Sequence, residues 1–145
     1  IRTAKNADDR MRGAERAFGE NPNVTVVAKE TANWKIDEAH DVVAGLFAAH
    51  PKVRAIFAAN DMMALGAIRY LDEAARKEVL VAGYDALDEA KAAIRAGKLA
   101  ATVDQQAAQQ GYLGVQYAVE ALHGQTPPAV TLIDTRLITG EGAVP

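Results

Sequence analysis

An amide and a carboxylate stand side by side at Asn60-Asp61, directly after the apolar run VRAIFAA (Val53–Ala59). A second carboxylate, Asp85, follows VLVAGY, and a second amide, Gln105, closes LAATVDQ. The stretch TANWK carries Asn33 and Trp34, the single tryptophan, just after VTVVAKE. A carboxylate accepts two hydroxyl hydrogen bonds, an amide accepts and donates, and a guanidinium such as that of Arg12 donates in a fork. An indole adds a flat apolar face with a donor at its edge. Together these groups are equipment for holding a polyhydroxylated ligand. Each also has a structural use. Asp61 suits the N-cap of the helix that follows it, and Asp85 and Asn60 suit turns. Trp34 suits a core, and Arg12 a solvated surface.

What makes the set informative is the pattern of elements that would carry it. Short β-branched runs alternate with amphipathic stretches along the chain. Ala7, Met11, Ala14 and Phe18 fall at helical spacing from Asn6 to Phe18, with Asn6 as the expected N-cap. Val24 to about Lys29 reads as a strand. Lys35 to His50 reads as a helix with Ile36, Ala39, Val43 and Leu46 on one face, stopped by Pro51. After the VRAIFAA strand, Asp61 caps a helix whose buried stripe is Leu65, Ile68 and Leu71. VLVAGY is the next strand, and Asp88 to Ala96 a short helix closed by Gly97. LAATVDQ is a strand, Gln106 to His123 a long helix ended by Gly124, and Val130 to Thr139 a final strand. Strand and helix alternating without hairpin signals imply parallel strands, right-handed crossovers and a doubly wound α/β fold. In open sheets of this class ligands bind outside the carboxyl ends of the strands, which is where Asn60, Asp85 and Gln105 stand.

Composition narrows the function classes. Lys+Arg 16 against Asp+Glu 19 leaves no basic excess of the kind that nucleic-acid binding uses. With no cysteine, thiolate catalysis, disulfides and zinc–thiolate sites are excluded. The phosphate-cradling motifs GxGxxG and GxxxxGK[ST] are absent. His40, His50 and His123 are too scattered for a metal site, and none stands at a strand end beside a nucleophile. No cofactor, metal or catalytic residue is therefore expected. The chain opens IRTAKNADDR, without Met or an apolar signal segment, and so reads as a processed chain or a piece of a longer one.

FAANDMMALGAIRYL, VLVAGYDALDEAKAAIRAGKLAATVDQ and GYLGVQYAVEALHG, in that order, resemble the C-terminal part of periplasmic sugar-binding proteins of the ribose-binding type. DDRMRGAERAF and PKVRAIFAAND fit the same pattern. The resemblance implies a flavodoxin-like lobe of a two-lobed protein that closes on a monosaccharide or polyol in the periplasm and delivers it to the permease of an ABC transporter. It also implies ligand contacts at Arg12 of the RxRG stretch, Trp34 where Phe is usual, Asn60, Asp85 and Gln105. On this pattern residues 1–105 are the C-terminal sugar-binding lobe, lacking its first strand. Residues 106–128 are a hinge crossing and a helix that packs on an N-terminal lobe, and residues 129–145 a return strand and tail. Two other classes share features of the sequence. The effector-binding core of lac-repressor-family regulators carries the same AND and G(F/Y)D signatures, although IRAGKLAATVDQ and the Gly-containing helix after it favour the transport protein. A small sugar-acting α/β enzyme would need a catalytic constellation that the sequence lacks.

Overall fold

A computed structural model describes residues 4–140 of the chain. Helix α1 (Lys5–Gly19) comes first, followed by α2 (Ile36–Ala49), β1 (Ala55–Phe57) and α3 (Asp61–Glu73). Then come β2 (Leu80–Ala82), α4 (Asp88–Arg95), β3 (Ala101–Asp104), α5 (Ala107–Leu122) and β4 (Arg136–Thr139). The strands form one sheet in the order β1-β2-β3-β4. The pairs β1–β2 and β2–β3 are parallel, as the alternation with helices predicts. The last strand departs from that expectation. β4 runs antiparallel to β3, in the register Thr102↔Ile138 and Asp104↔Arg136.

The core lies where α2, α3 and α4 meet the strands. Val43 and Phe47 of α2 pack with Ala64, Ala67, Ile68 and Leu71 of α3. Val81, Ala90, Ile94 and Leu99 continue the same cluster. These positions follow the three-and-four spacing that turns one helix face inward. The α2–α3 contact is close because residue 66 is glycine. A Cβ there would overlap the Ile36 carbonyl oxygen and crowd Ala39. Phe47 stacks on Tyr70 across this contact, 5.7 Å between ring centres. Gly97, at φ +70°, closes α4 in the left-handed cap that the sequence suggests.

Three local expectations are corrected. Val24 to Lys29 belongs to no strand, and Val24, Val26 and Val27 are exposed. A strand exists only as one side of a hydrogen-bonded ladder, and among the described residues this segment has no ladder partner. Asn6 does not cap α1, since Ala4 holds the N-cap position and makes no side-chain bond. Asp61 is not the cap of α3 either. Asn60 is, with its Oδ1 accepting from the Met63 N–H at 2.9 Å.

Candidate functional site

Three strand ends converge on one rim of the sheet. Asn60 follows β1, Asp85 follows β2 and Gln105 follows β3, and because these strands are parallel their carboxyl ends share one side. At the centre stands Arg10 of α1, whose side chain is only 11% exposed. Its Nη1 donates to the Ala59 carbonyl at 2.7 Å. Its Nη2 donates to Asp85 Oδ1 at 3.2 Å and to Gln105 Oε1 at 3.4 Å. Gln105 Nε2 donates to the same Asp85 Oδ1 at 2.9 Å. The guanidinium lies 3.8 Å over the Tyr84 ring and 5.7 Å from the centre of Trp34, within cation–π range of both.

Arg10, not the expected Arg12, is the arginine that the structure brings to the rim. Two residues along a helix are a rotation of about 200°, so the two arginines face nearly opposite ways. Arg10 falls on the line of Ala7, Ala14 and Phe18, the half-buried side of α1. Arg12 faces outward, 72% exposed, and pairs with Asp8 at 2.7 Å one turn back. The signal that distinguishes them was present in the sequence. Arg10 is three residues after Ala7 and four before Ala14, which sets it on the helix face already marked as apolar. Tyr84, the platform under the guanidinium, carries no signal in the sequence, because it reads as the last residue of an apolar strand.

The other candidates meet at the cluster. Trp34 and Asn33 are the central residues of a turn closed by the Lys35 N–H to Ala32 carbonyl bond at 2.9 Å. Both have positive φ, 66° and 49°, the signature of a primed turn. Asparagine tolerates that region, whereas a tryptophan there is strained, and the turn holds Trp34 where its ring lies beside Arg10. Asn60 is buried between Ala59, whose carbonyl Arg10 holds, and Asp61, whose N–H donates to the Tyr84 carbonyl at 2.7 Å. Its Oδ1 is spent on the α3 cap, and no described residue accepts from its Nδ2. Asp85 Oδ2 likewise accepts from no described residue.

Burial pushes the Asp85 carboxyl above its ordinary range, and Arg10 only partly offsets this, while the Asp61 carboxylate pushes it further up. The result is a carboxylate, an amide donor and an indole face bordering a fixed guanidinium. Each polar group has capacity left for hydroxyl groups, and the ring faces suit the C–H side of a sugar. Among the described residues no group of three or more His, Asp or Glu could hold a metal ion. No described helix is long and apolar enough to cross a membrane.

Comparison with known proteins places the fold in a family. Residues 1–126 match the periplasmic binding protein domain. The D-ribose/D-allose-binding protein of Pseudomonas aeruginosa is 36% identical over 128 residues, 88% of this chain and 40% of that protein. The ribose import binding protein of Escherichia coli is 36% identical over 91% of this chain and 44% of its own length. An ABC transporter periplasmic solute-binding protein from Actinobacillus succinogenes, solved with bound D-allose, superposes with a TM-score of 0.95 at 34% identity. That superposition covers 97% of this chain and 50% of the other. A solute-binding protein from Bacillus halodurans with bound myo-inositol gives 0.84 at 34% identity, over 90% of this chain and 46% of that one. The chain thus spans half or less of the length of these relatives, which are named as binding proteins and not as enzymes. With a domain match that covers most of its length and relatives that share its fold at about a third identity, the chain belongs to the periplasmic binding protein family.

Proposed function

We propose that this chain is the C-terminal lobe of the solute-binding component of an ABC transporter, and that it holds a monosaccharide or a ring polyol. The observation that carries this reading is the Arg10–Asp85–Gln105 cluster at the carboxyl ends of the parallel strands. The open valences of Asp85 Oδ2 and Asn60 Nδ2 border it, and Trp34 lies beside it. A sugar hydroxyl donates to Asp85 and accepts from Asn60, while the guanidinium orients the carboxylate and favours its ionised form against the effect of burial. Allose and myo-inositol, bound by two of the structural relatives, are both six-membered rings dense in hydroxyl groups. Periplasmic residence and delivery to a membrane permease follow from the same reading, as does the absence of catalysis.

In this reading residues 1–105 present the sugar-facing rim, residues 106–128 cross to a second lobe, and residues 129–145 return. No residue of α5 is buried, and Tyr112, Val115, Val119 and Leu122 form an exposed apolar line suited to packing on that lobe. The regulator alternative is disfavoured because the relatives with the same fold are solute-binding proteins. The test is calorimetric titration of the full-length protein with pentoses, hexoses and inositols. A saturable, one-to-one heat with at least one of them is expected. Binding of none, or turnover of any, would overturn the assignment.

A further inference from the structure

Asp61 and Thr102 are buried polar groups with no exposed surface, on separate elements. Asp61 opens α3, and Thr102 lies in the middle of β3. Thr102 Oγ1 donates to Asp61 Oδ1 at 2.8 Å. Their remaining bonds go to the loop that carries Asp85. The Leu87 N–H donates to Asp61 Oδ2 at 2.9 Å, and the Ala86 N–H donates to Thr102 Oγ1 at 3.2 Å. The Asp61 N–H donates to the Tyr84 carbonyl at 2.7 Å. Both carboxylate oxygens of Asp61 therefore accept, as an ionised group does, and the N-terminal end of α3 favours that charge. Gly83 belongs to the same device, because a Cβ there would overlap Asp61 Oδ1.

The loop needs holding. Asp85 has φ 119° and Ala86 φ 57°, both in the region that residues with a Cβ avoid. Such strain persists only where the surroundings over-determine it. Here the determination comes from two bonds to Asp61 and one to Thr102, together with the Asp85 N–H donating to the Val103 carbonyl at 2.9 Å.

We propose that Asp61, acting with Thr102, is a positioning residue for the sugar site: it pins residues 84–87 in the strained turn that presents Asp85. The proposal rests on the sugar-binding reading of the cluster for its effect on affinity, and on the loop alone for its effect on structure. Asp61 has a second influence on the site through its charge. Asp85 faces Arg10 from α1, Asp61 from α3, Gln105 after β3, and its neighbour Tyr84. Of these, Asp61 opposes the ionisation of Asp85 and Arg10 favours it.

The experiment compares Asp61→Asn and Thr102→Val in the full-length protein. Asparagine at 61 keeps an acceptor for the Leu87 N–H, but its amide nitrogen cannot accept from Thr102 Oγ1, so the charge and the Thr102 bond are removed together. Valine at 102 removes the bond to Ala86 and leaves the charge. Each should weaken sugar binding by about 10- to 100-fold, the loss of hydrogen bonds that fix a charged ligand group. Thr102→Val should leave the pH midpoint of binding in place. Asp61→Asn should move the acid limb to lower pH, because Asp85 loses a like charge beside it. A merely structural residue would not move that midpoint. Hydrogen exchange at the Ala86 and Leu87 amides should be faster in both variants. If Asp61→Asn fails to fold, Thr102→Val still decides through its affinity and its Ala86 exchange. If the wild-type protein binds no sugar, the functional reading fails, and unchanged amide exchange in the variants would separately overturn the positioning role. Wild-type affinity and an unmoved pH profile in a folded Asp61→Asn protein would overturn it as well.

Discussion

Replacing Arg10 by alanine, beside the same change at Arg12, tests the assembly of the site. Arg10 is 11% exposed and its partner Asp85 is 21% exposed, so water screens the pair weakly. Removing one member of a buried ion pair costs about 3–5 kcal/mol, and a hydrogen bond made by a charged group contributes about 1.5–3 kcal/mol. Two features place this pair towards the low end. Its contact is single, at 3.2 Å, and Gln105 continues to donate to Asp85 when the arginine is gone. Loss of the cation over Tyr84 adds about 0.5–2 kcal/mol, part of which is already counted in the desolvated pair. The expected loss of sugar affinity in Arg10→Ala is about 2–4 kcal/mol, on the order of 30- to 900-fold in Kd. Arg12→Ala removes only a one-turn helix pair whose arginine is 72% exposed, and should change affinity by less than about 0.5 kcal/mol. The assay is isothermal titration calorimetry of full-length variants near pH 7, with thermal melts to establish that both are folded. An Arg10→Ala protein within about threefold of wild type, beside an Arg12→Ala protein weakened more than about tenfold, would refute the reasoning.

Three further outcomes follow from the same structure. Burial raises the Asp85 pKa above its ordinary 3.8, so the folded state binds that proton more tightly than the unfolded state. Its ionisation therefore removes stability as pH rises from about 3.8 through the raised value, and Asp85→Asn should melt no lower than wild type near pH 7 while losing sugar affinity. A lower melting temperature with affinity retained would contradict this. His40 faces Asp41 at 3.0 Å and, across the α2–α3 contact, Glu73 at 2.9 Å. Asp41 first and Glu73 second raise its pKa above 6.5, with Arg69 opposing. The stability this gives is complete below pH 6.5 and disappears as pH rises through the raised value, so denaturant midpoints of wild type and His40→Gln should differ more near pH 5 than near pH 8. An equal gap at both would exclude the charge effect. The apolar line of α5 should make the 145-residue chain self-associate, and Val115→Glu with Leu122→Glu should give a slower-sedimenting species of unchanged thermal stability. Identical sedimentation of the two proteins would show that this face is not sticky.

The sequence by itself determined the class of the fold and the side of the sheet on which the candidate site lies. Alternation of period two and period 3.6 marks strands and helices through local geometry alone, and parallel strands then bring Asn60, Asp85 and Gln105 to one rim. What the tertiary structure decided was partnership. Val24 to Lys29 has the pattern of a strand but pairs with no described strand, because a ladder depends on a neighbour far away in the chain. β4 runs against the expected parallel sense for the same reason, as a long connection permits either direction. Arg10 displaced Arg12 because two residues reverse the face of a helix, so the RxRG motif by itself does not say which one turns inward, and only the line of Ala7 and Ala14 beside it does. Asp61 reads as a cap in a one-dimensional string, since Asp before a helix usually is one. It serves instead as the buried anchor of residues 84–87, through bonds to Leu87 and Thr102 that span 26 and 41 residues of chain.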